Sequence, residues 1–310
     1  RMRAATLNQV DLYMRNSGAG ITHRLPQIMG LDGAGTIEAC DASDPLLHTG
    51  QAVVIHPGIA CGRCEFCQHG DSALCARIQF LGEHRDGTFA QWAQVPAAQV
   101  FPKPAHLNWT EAAALGVNHL TAWRMLFTKA RLQPWETVLI FGIGGGVSLA
   151  ALQLAKAIGA RTIVTSRDAT KLQRAQAMGA DHAIHSTAED VTKSVMACTD
   201  GRGADVVFEN VGAAVWPWAM KSLVRGGRLV TCGATTGDQP GADLRRIFVR
   251  QLQIFGSSLG SYGEFRDLLN MVTRTGLRPV IDREFPLEEV RSALDHLETG
   301  AQFGKIALRI

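Results

Sequence analysis

Residues 138–160 read VLIFGIGGGVSLAALQLAKAIGA, and the order of residue types within them decides the fold. A short apolar run, a glycine cluster and a stretch of Leu and Ala at helical spacing predict a buried strand, a tight turn and an amphipathic helix. Gly142, Gly144, Gly145 and Gly146 let the backbone approach a pyrophosphate, and the helix opening at Val147 offers that anion free amides and a favourable dipole. A turn without a ligand is the simpler alternative. The strand, the glycines and the helix in that order argue for dinucleotide binding instead. Ser148 stands where a last glycine would ease helix packing, and its side chain is small enough to fit.

Strand and helix patterns alternate downstream: RTIVTS, ATKLQRAQAMGA, HAIHS, a polar helix, ADVVFENVG, WAMKSLVRGG, RLVTCG and QLQIFGSS. Such alternation specifies a parallel sheet with helices on both faces. Upstream, GAGTIEAC, GQAVVIHPG and DGTFAQWAQVPAAQVFPKP are short strand patterns broken by Gly and Pro, which predict antiparallel or barrel-like β structure. After Ser261 come a helix (EFRDLLNMVTRTG), a strand (PVIDREF), a helix (PLEEVRSALDHLETG) and a strand (FGKIALRI). The expected class is α/β, with a catalytic β domain over 1–120, a doubly wound cofactor domain over 121–260, and a return to the first domain over 261–310.

The strand after the glycine turn ends RTIVTSRDATK, and this end selects the cofactor. An acidic residue there would accept bonds from a ribose 2′-hydroxyl and repel a 2′-phosphate. Ser166 occupies about that place, with Arg167 and Lys171 as cationic phosphate ligands, so NADP(H) is expected. The alternative leaves Arg167 solvated and gives the ribose to Asp168. Asn210, Val211, Gly212, Cys232 and Gly233, with Phe141 and Ala234, fall at carboxyl ends of strands, where open parallel sheets bind ligands; simple turn packing is their alternative.

Only 19% of the 310 residues are charged, and the formal net charge is +3, so nothing favours a nucleic-acid partner. No apolar run is long enough to span a membrane, and RMRAATLNQVDL carries no signal-like stretch, so a cytoplasmic protein is expected. Four of seven cysteines cluster in CGRCEFCQHGDSALC, residues 61–75. Cys61, Cys64, Cys67 and Cys75 supply four thiolates for one tetrahedral zinc. That closed shell leaves no open position, which makes the ion structural. His69 is a solvated turn residue on this reading, and Cys40, Cys198 and Cys232 are expected to be small buried side chains.

With these motifs the chain resembles the medium-chain dehydrogenase/reductase superfamily, which holds zinc alcohol dehydrogenases and quinone or enoyl reductases. The resemblance covers the GroES-like β domain with its cysteine lobe, the LTAW crossover at 120–123, the Rossmann domain and the closing GKIAL. It implies a homodimer or homotetramer, and one or two further strands before RAATLNQVDLY. In zinc alcohol dehydrogenases a catalytic ion is held by a cysteine, by the histidine of a GHE motif, and by a third cysteine or acid. At those places this chain has Asn8, the segment Gly30, Leu31, Asp32, and Val117. The place of the family's relay hydroxyl falls near Val10. A displaced set of Asp32, His119 and Asp11 is the alternative metal site, although nothing in its spacing supports convergence.

Without a Lewis acid, hydride addition is easiest on a substrate that delocalises the charge itself, such as a quinone or an α,β-unsaturated carbonyl. Asn8, Asp11 and Tyr13 resemble residues at the same spacing in zinc-free quinone and enoyl reductases. The expected reaction is hydride transfer from NADPH while Asn8 or a backbone amide holds the carbonyl oxygen and Tyr13, His119 or water gives the proton. Thr121 is expected to border the nicotinamide, and Lys305 to be a surface lysine, its alternative being to reach the cofactor or substrate cleft. Leu31, Trp92, Val117, His119 and residues 256–263 are expected to shape the substrate pocket. The alternatives are an alcohol or aldehyde dehydrogenase of the same fold and a non-catalytic NADPH-binding protein.

Overall fold

The computed structural model describes residues 1–16, 25–41 and 45–310. Along the chain run β1 (Met2–Thr6), β2 (Asp32–Thr36), β3 (Ala52–Ile55), β4 (Gly58–Ile59), β5 (Gln79–Phe80), β6 (Val100–Pro102), β7 (Thr137–Ile140), β8 (Arg161–Ser166), β9 (His182–His185), β10 (Ala204–Glu209), β11 (Leu223–Thr231), β12 (Gln253–Gly256), β13 (Ile281–Pro286) and β14 (Lys305–Arg309). They fall into two compact units, Arg1–Leu120 with Leu259–Ile310, and Thr121–Ser258.

The first unit carries a six-stranded sheet in the order β13-β14-β1-β2-β3-β6. Its pairs are antiparallel except β13 with β14. Its core packs Leu7, Leu12, Leu294, Leu297, Ile306 and Leu308 together. The helix Tyr262–Thr275 starts on a capping box between Ser261 and Glu264 and buries Phe265, Leu268, Leu269 and Val272, the single stripe that a 3.6-residue period produces. One detail differs from the sequence expectation: of the strands read into residues 86–104 only β6 forms, the rest being a 3₁₀ turn at Ala97–Gln99 and irregular chain, while residues 9–16 form a helix. Pro96, Pro102 and Pro104 lack amides for a ladder, which explains the short pairing.

The second unit is a parallel sheet in the order β12-β11-β10-β7-β8-β9. Strands β7 and β10 are buried at every position, as expected where helices cover both faces. The strand order reverses between β7 and β10, which places a ligand crevice at their carboxyl ends. The segment WAMKSLVRGG is shared differently from its sequence reading: the helix ends at Ser222 and β11 begins at Leu223, since Gly226 and Gly227 weaken any longer helix.

Candidate active site

The cysteine lobe brings its four sulfurs within 4.8 Å of one another. Zinc–sulfur bonds of about 2.3 Å in a tetrahedron set sulfurs about 3.8 Å apart, so the donor set fits one ion. The backbone amide of Arg63 foremost, with Cys64, Cys75 and the Arg77 guanidinium, holds the Cys61 thiol down to about 5. Burial and the neighbouring Cys64 push Cys67 up to about 12. Metal binding would ionise all four thiols. Tyr262 anchors the approach to the lobe: its hydroxyl accepts from Ala60 N at 2.9 Å and donates to Gly58 O at 3.2 Å. Among the described residues these four cysteines are the one cluster of metal-donor side chains, and Asp11, Asp32 and His119 form no second one. Of the solitary cysteines, Cys40 is exposed rather than buried, while Cys198 and Cys232 are partly buried.

In the second unit, β7 runs into Gly142 and Gly144, which take φ of +68° and +109°, and the helix Gly146–Ala157 follows. A Cβ on Gly144 would lie 2.6 Å from Lys171 Cδ, so Lys171 lies across the glycine turn. Ser148 is fully buried and fits by donating to the Phe141 carbonyl at 2.8 Å, and Asn210 Nδ2 donates to Ser148 Oγ at 2.8 Å. The turn is a cradle with open backbone, as a pyrophosphate requires. Arg167 is exposed, whereas Asp168 caps the next helix by accepting from the amides of Thr170 and Lys171. A cavity of about 370 Å³ lies at the ends of β10, β11 and β12, with Gly212, Cys232 and Gly233 on its wall. The buried Glu209 carboxylate on its floor accepts from the amides of Val211 and Gly212 and from Thr231 Oγ1. Burial, then Glu209, pushes the Cys232 thiol up to about 12, so Cys232 stays a neutral wall of that cavity. Thr121 is 6% exposed in the helix Leu120–Trp123.

In the first unit the positions where a catalytic metal would sit do converge, around a carboxylate. Asp32 is fully buried at the start of β2, and strand register sets Thr6 of β1 opposite it. Asp32 Oδ2 accepts from Thr6 Oγ1 at 2.8 Å, Asn8 Nδ2 at 2.9 Å and Lys305 Nζ at 3.1 Å; Oδ1 accepts from Val117 N at 2.7 Å. Residues Leu115–His119 form a wide π-helical turn that delivers this amide. Gly116 is required there, because a Cβ would lie 2.5 Å from Asp32 Oδ1. Lys305 Nζ also donates to Leu7 O and to Asn8 Oδ1, both at 2.6 Å, and Asn118 Nδ2 donates to the same Asn8 oxygen. Burial lowers the Lys305 pKa, and Asp32 opposes that shift. Asp11 lies beside this group, its Oδ2 accepting from Asn8 N at 2.7 Å and its Oδ1 buried with no hydrogen-bond partner among the described residues. Burial pushes Asp11 up to about 7.

This arrangement does not fit a catalytic zinc. An ammonium already holds the polar atoms, Leu31 and Val117 carry no donor, and a second cation would be repelled. Lys305 is 3% exposed, which corrects its reading as a surface lysine. Asn8 is fully occupied: its two N–H groups face Asp32 and Thr6 O, and its oxygen accepts twice. It therefore has no donor left for a substrate oxygen and serves instead to fix its neighbours. His119 is 2% exposed with Nδ1 3.2 Å from Ala114 O, a histidine tied to its own helix. Tyr13 is half-buried in the helix Gln9–Asn16. Thr6 and Asn118 were not foreseen. The available signal for Asn118 was a carboxamide inside the otherwise apolar LGVNHL, and for Lys305 a lysine opening the apolar strand KIALRI.

Residues 1–105 match the family model described as alcohol dehydrogenase GroES-like domain, and residues 146–274 match that of zinc-binding dehydrogenase. A zinc-type alcohol dehydrogenase-like protein of Schizosaccharomyces pombe is 31% identical over 100% of this chain and 90% of its own length. A crotonyl-CoA reductase of Streptomyces avermitilis is 29% identical over 98% of this chain and 73% of its own. The crystal structure of an NAD-dependent alcohol dehydrogenase superposes with a TM-score of 0.95 at 39% identity, covering 100% of this chain and 90% of that one. No described helix is long and apolar enough to cross a membrane. With both domain models, the glycine turn and the cysteine lobe in place, the chain belongs to the medium-chain dehydrogenase/reductase superfamily, among its zinc-type alcohol dehydrogenase-like oxidoreductases.

Proposed function

We propose that this protein is an NADPH-dependent reductase of quinones or of the C=C bond of α,β-unsaturated carbonyls, working without a catalytic metal. The observation that carries the reading is the Lys305 ammonium, bonded to Asn8 and Asp32 where a metal-dependent relative would place its ion. That ammonium is matched by the Asp32 carboxylate, so the group has no surplus charge with which to stabilise a full alkoxide. A conjugated carbonyl needs less help, since its enolate spreads the negative charge.

A nicotinamide cofactor bound at the glycine turn would supply the hydride. Gly142, Gly144, Gly145, Gly146 and Val147 would hold its pyrophosphate, and Asn210, Val211, Gly212, Cys232 and Gly233 would border the nicotinamide end with Thr121. Ser166, Arg167 and Lys171 would bind a 2′-phosphate. The capping duty of Asp168 supports this choice, because a carboxylate committed to a helix terminus is less available to a ribose. A proton completes the reduction at the enolate carbon or quinone oxygen, from Tyr13 or water. Cys61, Cys64, Cys67 and Cys75 would hold one structural zinc. The free thiols suit a reducing cytoplasm.

The test is a panel of quinones, enones, enals and alcohols with NADPH and NADH, run beside a zinc count. The reading requires enone or quinone turnover with NADPH preferred, and one zinc per chain. Alcohol oxidation as the fastest reaction, with two zincs per chain, would overturn it in favour of an alcohol dehydrogenase.

A further inference from the structure

One carboxylate sets the orientation of two carboxamides in the first unit. A carboxylate only accepts, so the Asn8 amide must turn its nitrogen to Asp32, which leaves its oxygen to Lys305 Nζ and Asn118 Nδ2. Asn118 is thereby turned with its nitrogen to Asn8, and its second N–H and its carbonyl oxygen have no partner among the described residues. Every other polar member is saturated: Lys305 uses three donors on three acceptors, Asn8 makes four bonds, and Asp32 accepts four. Of the four side chains Asp32, Asn8, Lys305 and Asn118, Asn118 alone keeps hydrogen-bonding capacity with no partner among the described residues, and the residue retains 7% of its surface open.

We propose that Asn118 is the residue that holds the substrate carbonyl oxygen, with Asp32, Lys305 and Asn8 as its positioning residues. The second N–H of Nδ2 would donate to the oxygen as hydride addition builds negative charge on it. Three features make this donor pre-organised. The π-helical turn fixes its backbone, the bond to Asn8 fixes its χ2, and the buried ion pair prevents the amide from flipping. The proposal rests on the carbonyl-reducing reading above.

The test compares the full-length enzyme with Asn118→Ala and Asn118→Ser, using 2-cyclohexenone and NADPH. Asn118→Ala should lower kcat/KM about a hundredfold, the usual loss for one oxyanion donor, with NADPH affinity unchanged. Asn118→Ser keeps a donor and should recover part of that loss; it also serves if the alanine variant does not fold. In the complex with NADP⁺, which cannot react, the infrared carbonyl stretch of bound 2-cyclohexenone should lie lower in the wild type than in Asn118→Ala. Equal kcat/KM and equal carbonyl stretch in wild type and Asn118→Ala would overturn the assignment. If only alcohols are turned over, the reductase reading fails by itself. The same pair of variants on that alcohol then decides Asn118, an unchanged kcat/KM overturning it. No turnover of any panel member overturns both.

Discussion

Asp32 and Lys305 are each almost wholly removed from water, and among the described residues each is the other's only buried charge of opposite sign within 4 Å. Removing one member of such a pair leaves an uncompensated charge, which typically costs about 3–5 kcal/mol. Lys305→Met should therefore lower the unfolding free energy by about that amount, measured in urea at pH 7; a loss below about 1 kcal/mol would show the pair to be dispensable. Two further buried groups act on pH dependence with opposite signs. Asp11 is held at about 7, so between about pH 4 and 7 the folded chain keeps a proton that the unfolded chain releases, and stability from this group is lost as pH rises. His56 is buried with its ring nitrogens on Gly58 and Gly260, and burial lowers it to about 4. Between about pH 6.5 and 4 the unfolded chain takes up a proton that the folded chain refuses, so stability from His56 is lost as pH falls. Asp11→Asn removes the first effect alone. The variant should gain stability relative to the wild type as pH rises from about 4 to 7, with steeper acid unfolding of its own. Urea midpoints across that range that stay parallel in the two proteins would contradict the assignment.

At the scale of the element, the cysteine lobe and the glycine turn were both legible in sequence because each is a local pattern. The helix Glu65–Gln68 of the lobe buries none of its residues, so apolar packing contributes little there. Chelation of the metal should therefore expose residues 61–75 to limited proteolysis before the rest of the chain, with loss of one zinc per chain; cleavage elsewhere first would mean that the lobe is held by other contacts. The glycine turn depends on backbone rather than side chains. Gly144→Ala would force an L side chain to φ of +109° and into Lys171 Cδ, and cofactor affinity should fall at least about tenfold by titration while the fold persists.

Across the whole molecule, β12 is an edge strand among the described residues and is largely exposed, and Leu244, Phe248 and Val249 of the helix Leu244–Arg250 that precedes it in the chain are exposed too. An open edge flanked by apolar side chains is suited to a second copy of the chain, which would pair β12 with its own counterpart. Phe248→Glu with Ile254→Lys should shift the assembled species to a monomer in light scattering, and an unchanged mass would move the interface elsewhere.

The sequence by itself determined the two-part α/β architecture, the four thiolates and the absence of metal donors at Leu31 and Val117, since residue type and short spacing carry those properties. Only the tertiary structure decided what stands at those places. The pair Thr6 and Asn8 lies far in sequence from Asp32, Asn118 and Lys305, and they meet because the order β14-β1-β2 sets the strands side by side and a π-helical turn brings Val117 and Asn118 onto them. Spacing along the chain contains no trace of that register. A lysine that looked solvated is therefore the buried cation of the site, and the asparagine chosen first is the one whose bonds are already spent.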